Sequence, residues 1–147
     1  MLKNIPAILS PDMLKVLCEM GHSDRIVIAD GNFPAEALGK DAIVIRADGH
    51  GVPELLDAIL KLIPLDAYVQ KPVALMEVVP GDTCPTPEIW DVYKSILYKY
   101  EPDHCEIDMT ERFAFYERAK KAYLIIATGE TAIYANILLK KGVVKPE

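Results

Sequence analysis

Short apolar runs alternate with helical patterns along the whole chain, and this alternation limits the possible folds most. The β-rich runs are Arg25–Ala29, Ala42–Arg46, Val73–Val79 and Tyr123–Thr128. The first two are apolar enough to be buried on both faces, so we expect them inside a central sheet. Helices between the strands then cover the faces of that sheet. The sequence therefore predicts an α/β fold, a single compact domain over residues 1–147 with a central sheet flanked by helices.

Helix boundaries are marked by capping residues, prolines and glycines. Ser10 followed by Pro11 predicts a helix start, and Gly21 predicts the end of that helix. Thr110 is expected to cap a helix over Glu111–Lys121. Thr86 followed by Pro87 repeats the cap-and-proline pattern and predicts another helix start. A helix start at 51–53 and two shorter strands, at 106–109 and 136–140, complete the prediction.

Length and charge exclude several classes of function. A chain of 147 residues has no room for two lobes with a cleft between them, so we expect a complete active site to need a neighbouring subunit. The net charge is -6 and no stretch concentrates lysine and arginine, so nucleic-acid binding is not expected. No run reaches the roughly 18 apolar residues of a membrane span, and the first residues lack a signal-peptide core. We therefore expect a cytoplasmic protein that does not contact membranes.

The cysteines and histidines show no metal-binding spacing. The three cysteines lie far apart and include no Cys-x-x-Cys pair, so we expect reduced thiols. The three histidines, at positions 22, 50 and 104, lack a His-x-x-x-His arrangement. We expect no metal site.

His22 is the first candidate catalytic residue. It follows Gly21 at a corner between a helix and a strand, and histidine is the side chain type that exchanges protons near neutral pH. His22 is thus either a general acid or base, or a cation that stabilises the end of the preceding helix. His50, between Gly49 and Gly51, either contributes to an anion site at a helix start or lies in a plain loop.

Polar residues at strand ends are candidates for binding a ligand. Asp30 ends a strand, and ligands collect beyond the carboxyl ends of strands in open α/β sheets. Alternatively, Asp30 closes a turn by accepting hydrogen bonds from the amides of Gly31 and Asn32. Tyr134 and Asn136 alternate, so on an extended chain both side chains point the same way, towards one ligand. Their other interpretation is a turn after the preceding strand.

Arg112 is a further candidate because of its position in the first turn of a helix. The helix dipole disfavours a cation there, so another group is expected to hold the guanidinium. That group is either Glu106 or Glu111, as an ordinary salt bridge, or the hydroxyls or acid of a ligand. The three aromatic residues between 113 and 116 are expected to be core or interface residues.

His22 and Asp30 are too far apart to serve one small ligand within a single subunit. If residues 23–29 are nearly extended, the two side chains are separated by roughly 20 Å, at about 3.3 Å per residue. Unless the segment folds back, they share a site only by meeting across a subunit interface. The spacing therefore predicts an oligomer.

Several motifs together carry a family resemblance. They are Leu9-Ser10-Pro11, Gly21-His22-Ser23-Asp24-Arg25-Ile26-Val27-Ile28-Ala29-Asp30, Asn32-Phe33-Pro34, Ile45-Arg46-Ala47-Asp48-Gly49, Arg112-Phe113-Ala114-Phe115-Tyr116-Glu117-Arg118-Ala119, Thr128-Gly129-Glu130 and Tyr134-Ala135-Asn136-Ile137. With these motifs the chain resembles the RbsD/FucU family of ribose pyranases and fucose mutarotases over nearly its whole length. The longest motif and Asn32-Phe33-Pro34 resemble the fucose branch.

The resemblance implies an RbsD-like fold and a cofactor-independent isomerase that interconverts the α and β anomers of L-fucose. It implies that His22 is the proton donor. The residues that it implies for monosaccharide binding are Asp30, Arg112, Tyr134, Ala135 and Asn136. It also implies a ring-based homo-oligomer, typically a decamer, with active sites between adjacent subunits.

Other functions fit the same residues. A ribose pyranase exchanges six- and five-membered rings of a pentose by the same proton transfers. A non-catalytic monosaccharide-binding protein needs the same polar groups, with His22 as a simple hydrogen-bond donor, and a structural oligomer needs no ligand. The chain departs from the family at Gly31, where alanine is frequent, and at Glu36-Ala37, where a His-Ser pair often follows Pro-Ala. These departures affect the expected sugar preference and not the expected chemistry.

Overall fold

A six-stranded mixed sheet forms the centre of the computed structural model, which describes residues 1–147. The strands are β1 (Arg25–Ala29), β2 (Ile43–Ala47), β3 (Val73–Met76), β4 (Ile107–Thr110), β5 (Leu124–Thr128) and β6 (Ile137–Lys140). The helices are α1 (Pro11–Glu19), α2 (Ala35–Leu38), α3 (Val52–Leu60), α4 (Ile89–Tyr100) and α5 (Arg112–Lys120). The predicted α/β class, with a central sheet flanked by helices, is confirmed.

The strand order is β2-β5-β1-β6-β3-β4, and β6 alone runs against its neighbours. β1 pairs with β5 and β5 with β2 in parallel, and β3 pairs with β4 in parallel. β6 is antiparallel to both β1 and β3. The carboxyl ends of five strands therefore meet at one edge of the sheet, together with the start of β6. We call this the carboxyl edge, and the opposite one the amino edge.

Alternation along β1 builds a core on both faces of the sheet. Ile26 and Ile28 pack into the cluster that contains the apolar sides of α1, α3 and α4. Val27 and Ala29 pack into a smaller cluster that includes residues of α2 and α5. Because successive side chains of a strand point to opposite faces, one fully buried strand serves both layers. β1 is therefore a rigid base for whatever lies at its two ends.

The prediction that Ala42–Arg46 is buried on both faces is wrong. The strand in this region is β2, Ile43–Ala47, and it lies at the edge of the sheet with β5 as its single neighbour. Ile43 is 36% exposed, and only Ala47 in the strand is buried. The edge strand β2 and the central strand β1 have the same apolar composition, so composition could not show which of them lies at the edge.

Two predicted caps are also wrong. Thr110 is the last residue of β4, and its hydroxyl donates to the Asp108 carbonyl oxygen instead of capping a helix. Glu111 caps α5 with both carboxylate oxygens, at 3.0 Å from the amides of Phe113 and Ala114. α4 begins at Ile89 without a side-chain cap, not after Thr86. The cap at Ser10 is confirmed, since its hydroxyl oxygen accepts from the Met13 amide.

The short helix α2 was not predicted from the sequence. It follows Pro34 and has a single buried residue, Ala35. β3 is also shorter than predicted and ends at Met76, so the residues up to Val79 leave the sheet at the carboxyl edge. None of the five helices combines the length and the apolar character that crossing a bilayer requires.

Candidate active site at the carboxyl edge

An open pocket of about 250 Å³ lies at the carboxyl edge, above the ends of β1, β3 and β4 and the start of β6. The residues that line it are Asp30, Asn32, Phe33, Met76, Val79, Asp82, Arg112, Tyr116, Ile133, Tyr134 and Asn136. Four of the five residues that were predicted to bind a ligand thus meet in one place. The fifth, Ala135, is fully buried directly behind them.

Asp30 forms the floor of the pocket and is 5% exposed. One carboxylate oxygen accepts from the Asn32 amide at 3.0 Å, and the other accepts from the Ala135 amide at 3.3 Å. Burial raises the pKa of Asp30, although these backbone hydrogen bonds act in the opposite direction. The turn interpretation of Asp30 holds for the Asn32 amide only, since the Gly31 amide donates to the Glu130 carbonyl oxygen, and it is compatible with the ligand interpretation. Each oxygen keeps a free lone pair for a hydroxyl donor in the pocket.

The segment Tyr134-Ala135-Asn136 begins in a turn, which fits the second of its two interpretations. Tyr134 has a positive φ of 54°, so the chain turns there before β6 begins. Helix α4 holds this turn: the indole of Trp90 donates to the Tyr134 carbonyl oxygen at 2.8 Å, and the Tyr93 hydroxyl donates to that of Ala135 at 2.7 Å. The turn still delivers both side chains to the pocket.

Asn136 and Tyr134 are each held by polar contacts within the chain. The Asn136 side-chain oxygen accepts from the Asp30 amide at 2.7 Å, which leaves its NH₂ group as a donor. The Tyr134 hydroxyl accepts from the Val79 amide at 3.3 Å and donates to Asp82 at 2.5 Å. The hydrogen bond to Asp82 raises the pKa of Tyr134, and the same bond lowers the pKa of Asp82.

Asp82 was missed by the sequence analysis. It lies in the irregular segment between β3 and α4, next to Gly81, which has a positive φ of 88°. A glycine-aspartate turn is a common loop signal, so nothing local connects Asp82 to the predicted site. Its place beside Tyr134 follows from pairing of β3 with β6, which is a long-range contact.

Arg112 is the first residue of α5, and neither predicted salt bridge forms. Its Nε donates to the Tyr116 hydroxyl at 3.3 Å. The guanidinium also lies 5.2 Å from the centre of the Phe113 ring and 5.6 Å from that of Tyr116, within cation–π range. Glu111 is occupied as the helix cap. Arg112 is thus oriented by aromatic rings, and most of its donors are free to face a ligand in the pocket.

His22 lies at the other end of β1, on the amino edge, and is not part of this pocket. Its Nε2 is 3.0 Å from a carboxylate oxygen of Asp66, so it does not cap α1. The imidazole packs edge-on against Tyr68, with ring centres 5.3 Å apart. The separation expected between His22 and Asp30 is therefore real within one chain. A site that uses both residues needs two subunits.

His50 belongs to a loop whose anion-binding capacity is already used. Its Nδ1 is 3.1 Å from Glu54, and the same carboxylate accepts from the Gly51 amide at 3.0 Å. Glu130 accepts from the Val52 amide at 3.1 Å. The start of α3 thus receives carboxylates of the chain itself, and the loop interpretation fits. No cluster of three or more His, Cys, Asp or Glu side chains is arranged to hold a metal ion.

Comparison with known proteins agrees with this architecture. Residues 3–144 match the model of the RbsD / FucU transport protein family. The chain belongs to the RbsD/FucU family. The human fucose mutarotase is 52% identical over 97% of this chain and 94% of its own length.

Solved structures of this family superpose closely on the chain. The FucU protein of Bifidobacterium longum is 60% identical, with a TM-score of 0.94 over 97% of this chain and 100% of that one. The fucose mutarotase of Streptococcus pneumoniae, solved in complex with L-fucose, is 51% identical, with a TM-score of 0.92 over 98% of this chain and 100% of that one. Both proteins thus share the six-stranded architecture of this RbsD/FucU chain from end to end.

Proposed function

We propose that this chain is an L-fucose mutarotase, an isomerase that interconverts the α and β anomers by opening and closing the sugar ring. The observation that carries the proposal is the pocket at the carboxyl edge, whose polar groups are fixed by backbone hydrogen bonds. It occurs in a chain that is similar from end to end to proteins named fucose mutarotase. The pocket is smaller than the sites of drug-sized ligands, as a monosaccharide requires.

The pocket contains donors and acceptors in the mixture that a sugar needs. Asp30 accepts hydrogen bonds from sugar hydroxyls, while Arg112 and the Asn136 NH₂ group donate to sugar oxygens. Tyr134 and Asp82 add a hydroxyl–carboxylate pair to the lining of the pocket. Phe33 and Ile133 supply apolar surface for the carbon atoms of the ring. Ala135 contributes through its backbone, because its amide orients Asp30.

Ring opening needs two proton transfers and no redox change. A proton passes to the ring oxygen while the bond between that oxygen and the anomeric carbon breaks, and its electron pair goes to the ring oxygen. The anomeric hydroxyl loses its proton to a carboxylate or a water, which leaves an open-chain aldehyde. Rotation about the freed bond and reversal of these steps give the other anomer. An acid placed at the ring oxygen contributes typically 10²- to 10⁴-fold, by the usual range for general acid catalysis.

His22 of the partner subunit is the acid in this proposal. Within one chain His22 and the pocket occupy opposite edges of the sheet, so the edge of one subunit must meet the opposite edge of the next. Such head-to-tail contacts generate a closed ring when the rotation from one subunit to the next closes, and an open filament when it does not. Exposed apolar residues lie at both edges of the sheet. Tyr68 is beside His22, and Phe113 and Ile133 are near the pocket. We propose a ring-based homo-oligomer, with a decamer as the expected form.

Exchange spectroscopy on the anomeric protons of L-fucose tests the proposal. Catalytic amounts of the protein at neutral pH are expected to transfer magnetisation between the α and β signals far faster than buffer alone. D-ribose, followed between its pyranose and furanose signals, is the comparison for a ribose pyranase. Transfer with ribose and none with fucose would replace the proposal by that activity. Binding of fucose without faster exchange would make the chain a monosaccharide-binding protein.

A further inference from the structure

Only two carboxylates of the chain are buried, and the mechanism above uses one of them. Asp30 is in the pocket, while Asp66 is 1% exposed and lies at the amino edge beneath His22. A buried carboxylate is costly unless charged or hydrogen-bonding partners compensate for its lost hydration. The partners of Asp66 therefore indicate what this residue does.

Three donor groups lie near the Asp66 carboxylate. Its Oδ1 accepts from the Tyr68 amide at 3.0 Å and is 3.0 Å from His22 Nε2. Its Oδ2 is 3.8 Å from the Lys140 ammonium. Burial raises the pKa of Asp66, but the bonds from Tyr68 and His22 and the charge of Lys140 outweigh burial, so the pKa lies below its ordinary value. Asp66 is thus a carboxylate at neutral pH.

An ionised Asp66 determines which nitrogen of His22 carries a proton. A carboxylate is an acceptor only, so the 3.0 Å contact requires a hydrogen on Nε2. The other nitrogen, Nδ1, makes no hydrogen bond within the chain, and the His22 side chain is 42% exposed. Nδ1 is thus the nitrogen available to a sugar held by a neighbouring subunit. When the imidazole is protonated, the proton that it can donate is the one on Nδ1.

We propose that Asp66 is a positioning residue for the proton transfer by His22. It fixes the imidazole as the Nε2–H tautomer and orients Nδ1 outwards. Packing of the imidazole against the Tyr68 ring limits its rotation in the same way. This inference rests on the proposed mutarotase function, because the proton on Nδ1 needs a sugar ring oxygen to receive it. The same logic of a carboxylate behind a catalytic histidine operates in hydrolytic triads.

Asp66→Asn tests the inference, since the amide has nearly the same shape and can still accept from Tyr68. The fucose exchange rate at saturation is expected to fall about 10- to 100-fold, part of the contribution of a general acid, with the KM for fucose within about twofold. The matched control is Glu54→Gln, which alters the exposed His50–Glu54 pair and is expected to leave both parameters unchanged. A variant that keeps its full exchange rate, or that loses fucose affinity alone, would overturn the positioning role.

The tautomer of His22 gives a second readout that does not depend on a variant. Long-range proton–nitrogen correlation of the wild-type oligomer, with the resonances assigned through His22→Ala, is expected to show the Nε2–H form at alkaline pH. Detection of the Nδ1–H form would refute the inference, even if Asp66→Asn failed to fold. A wild-type protein that does not exchange fucose anomers would refute the proposed function instead, and the tautomer would still decide whether Asp66 fixes the imidazole.

Discussion

Two buried carboxylates at opposite edges of one sheet have their pKa values moved in opposite directions. Asp30 is next to Glu130 and is bound by backbone amides alone, so burial dominates and its pKa is raised. Asp66 has His22 and Lys140 beside it, so its pKa is lowered in spite of burial. The difference between the two residues is the presence of cationic partners. It has consequences for how each residue affects stability.

Substitution of these two residues is expected to show opposite pH dependence. The pKa of Asp30 is raised in the folded state. Its contribution to the free energy of unfolding therefore falls as the pH rises from the ordinary aspartate pKa, near 3.8, through the folded pKa. A lowered pKa makes Asp66 contribute more stability above its ordinary value, and this contribution is lost as pH falls through the folded pKa. The stability deficit of Asp30→Asn should therefore shrink as pH rises from 4 to 7. That of Asp66→Asn should stay nearly constant over this range and shrink as pH falls below 4.

Denaturant unfolding of the wild type and both variants, at one protein concentration, measures these deficits. Parallel pH dependence of the two deficits would contradict the electrostatic account of the sites.

In the proposed site, Arg112 acts through its geometry as well as its charge. Its Nε donates to Tyr116 while its other guanidinium donors stay available to a ligand, an arrangement that a lysine ammonium does not reproduce. Arg112→Lys is expected to lower kcat/KM for fucose about tenfold, which corresponds to one lost charge-assisted hydrogen bond, with a smaller change at saturation. Arg46→Lys, at an exposed arginine paired with Asp48, is the control. Equal effects of the two substitutions would remove Arg112 from the binding site.

At the scale of elements, α4 supports the turn at Tyr134 and Ala135, before β6. Trp90 and Tyr93, one turn apart on this helix, both donate to carbonyl oxygens of the turn before β6. Tyr93 is fully buried, so its hydroxyl has no water to replace the Ala135 carbonyl. The positive φ of Tyr134 is thereby held in place by a helix that contributes no residue to the pocket.

Tyr93→Phe removes one of these two supports without changing the ring. The buried carbonyl oxygen of Ala135 loses its donor, so the free energy of unfolding is expected to fall by about 1–2 kcal/mol. The KM for fucose should also rise, because Asn136 follows directly in the chain. Tyr98→Phe changes an exposed tyrosine on the same helix and is expected to alter neither quantity. Unchanged KM and stability in Tyr93→Phe would show that α4 does not support the turn.

Local sequence signals predicted where helices and strands occur better than they predicted strand order and burial. Ser10 caps α1 as expected because the cap contacts a residue three positions away. The same pattern at Thr86 fails because the Pro87 carbonyl accepts from Trp90, and this tighter turn precedes the helix. The order of strands depends on long-range pairing, so neither the edge position of β2 nor the extension of β4 to Thr110 was visible in the sequence.

The candidate site was predictable in its residues and not in its arrangement. Strand-end position and family motifs both indicated Asp30, and the structure places it with Arg112, Tyr134 and Asn136. Asp82 and Asp66 were missed because each is a single acid whose partner lies more than forty residues away. Patterns within a short window do not report such contacts.

At the scale of the whole molecule, the two parts of the proposed site, His22 and the pocket at the carboxyl edge, lie at opposite edges of the sheet in one chain. The sheet is the rigid spacer between them, so no side-chain rearrangement can unite His22 with the pocket of its own chain. In the proposed mechanism, assembly is therefore required for activity. The proposed ring differs in this requirement from an oligomer whose subunits each hold a complete site.

Mixed oligomers of two inactive variants are expected to recover activity. In a ring of randomly mixed His22→Ala and Arg112→Ala subunits, about a quarter of the interfaces pair an intact His22 with an intact Arg112. Co-expression of the two variants at equal levels should thus restore about a quarter of the wild-type exchange rate. Mixed oligomers that stay inactive would indicate that each site uses residues of one chain, and would contradict the interface model.

The most direct test compares fucose anomer exchange by the wild type, His22→Ala and His50→Ala at neutral pH. His50 is a matched control, because it is a half-exposed histidine paired with a carboxylate away from the pocket. The wild type and His50→Ala are expected to accelerate exchange equally, while His22→Ala should lose about 10²- to 10⁴-fold with its assembly intact. Exchange by His22→Ala at the wild-type rate, or no acceleration by the wild type, would contradict the account.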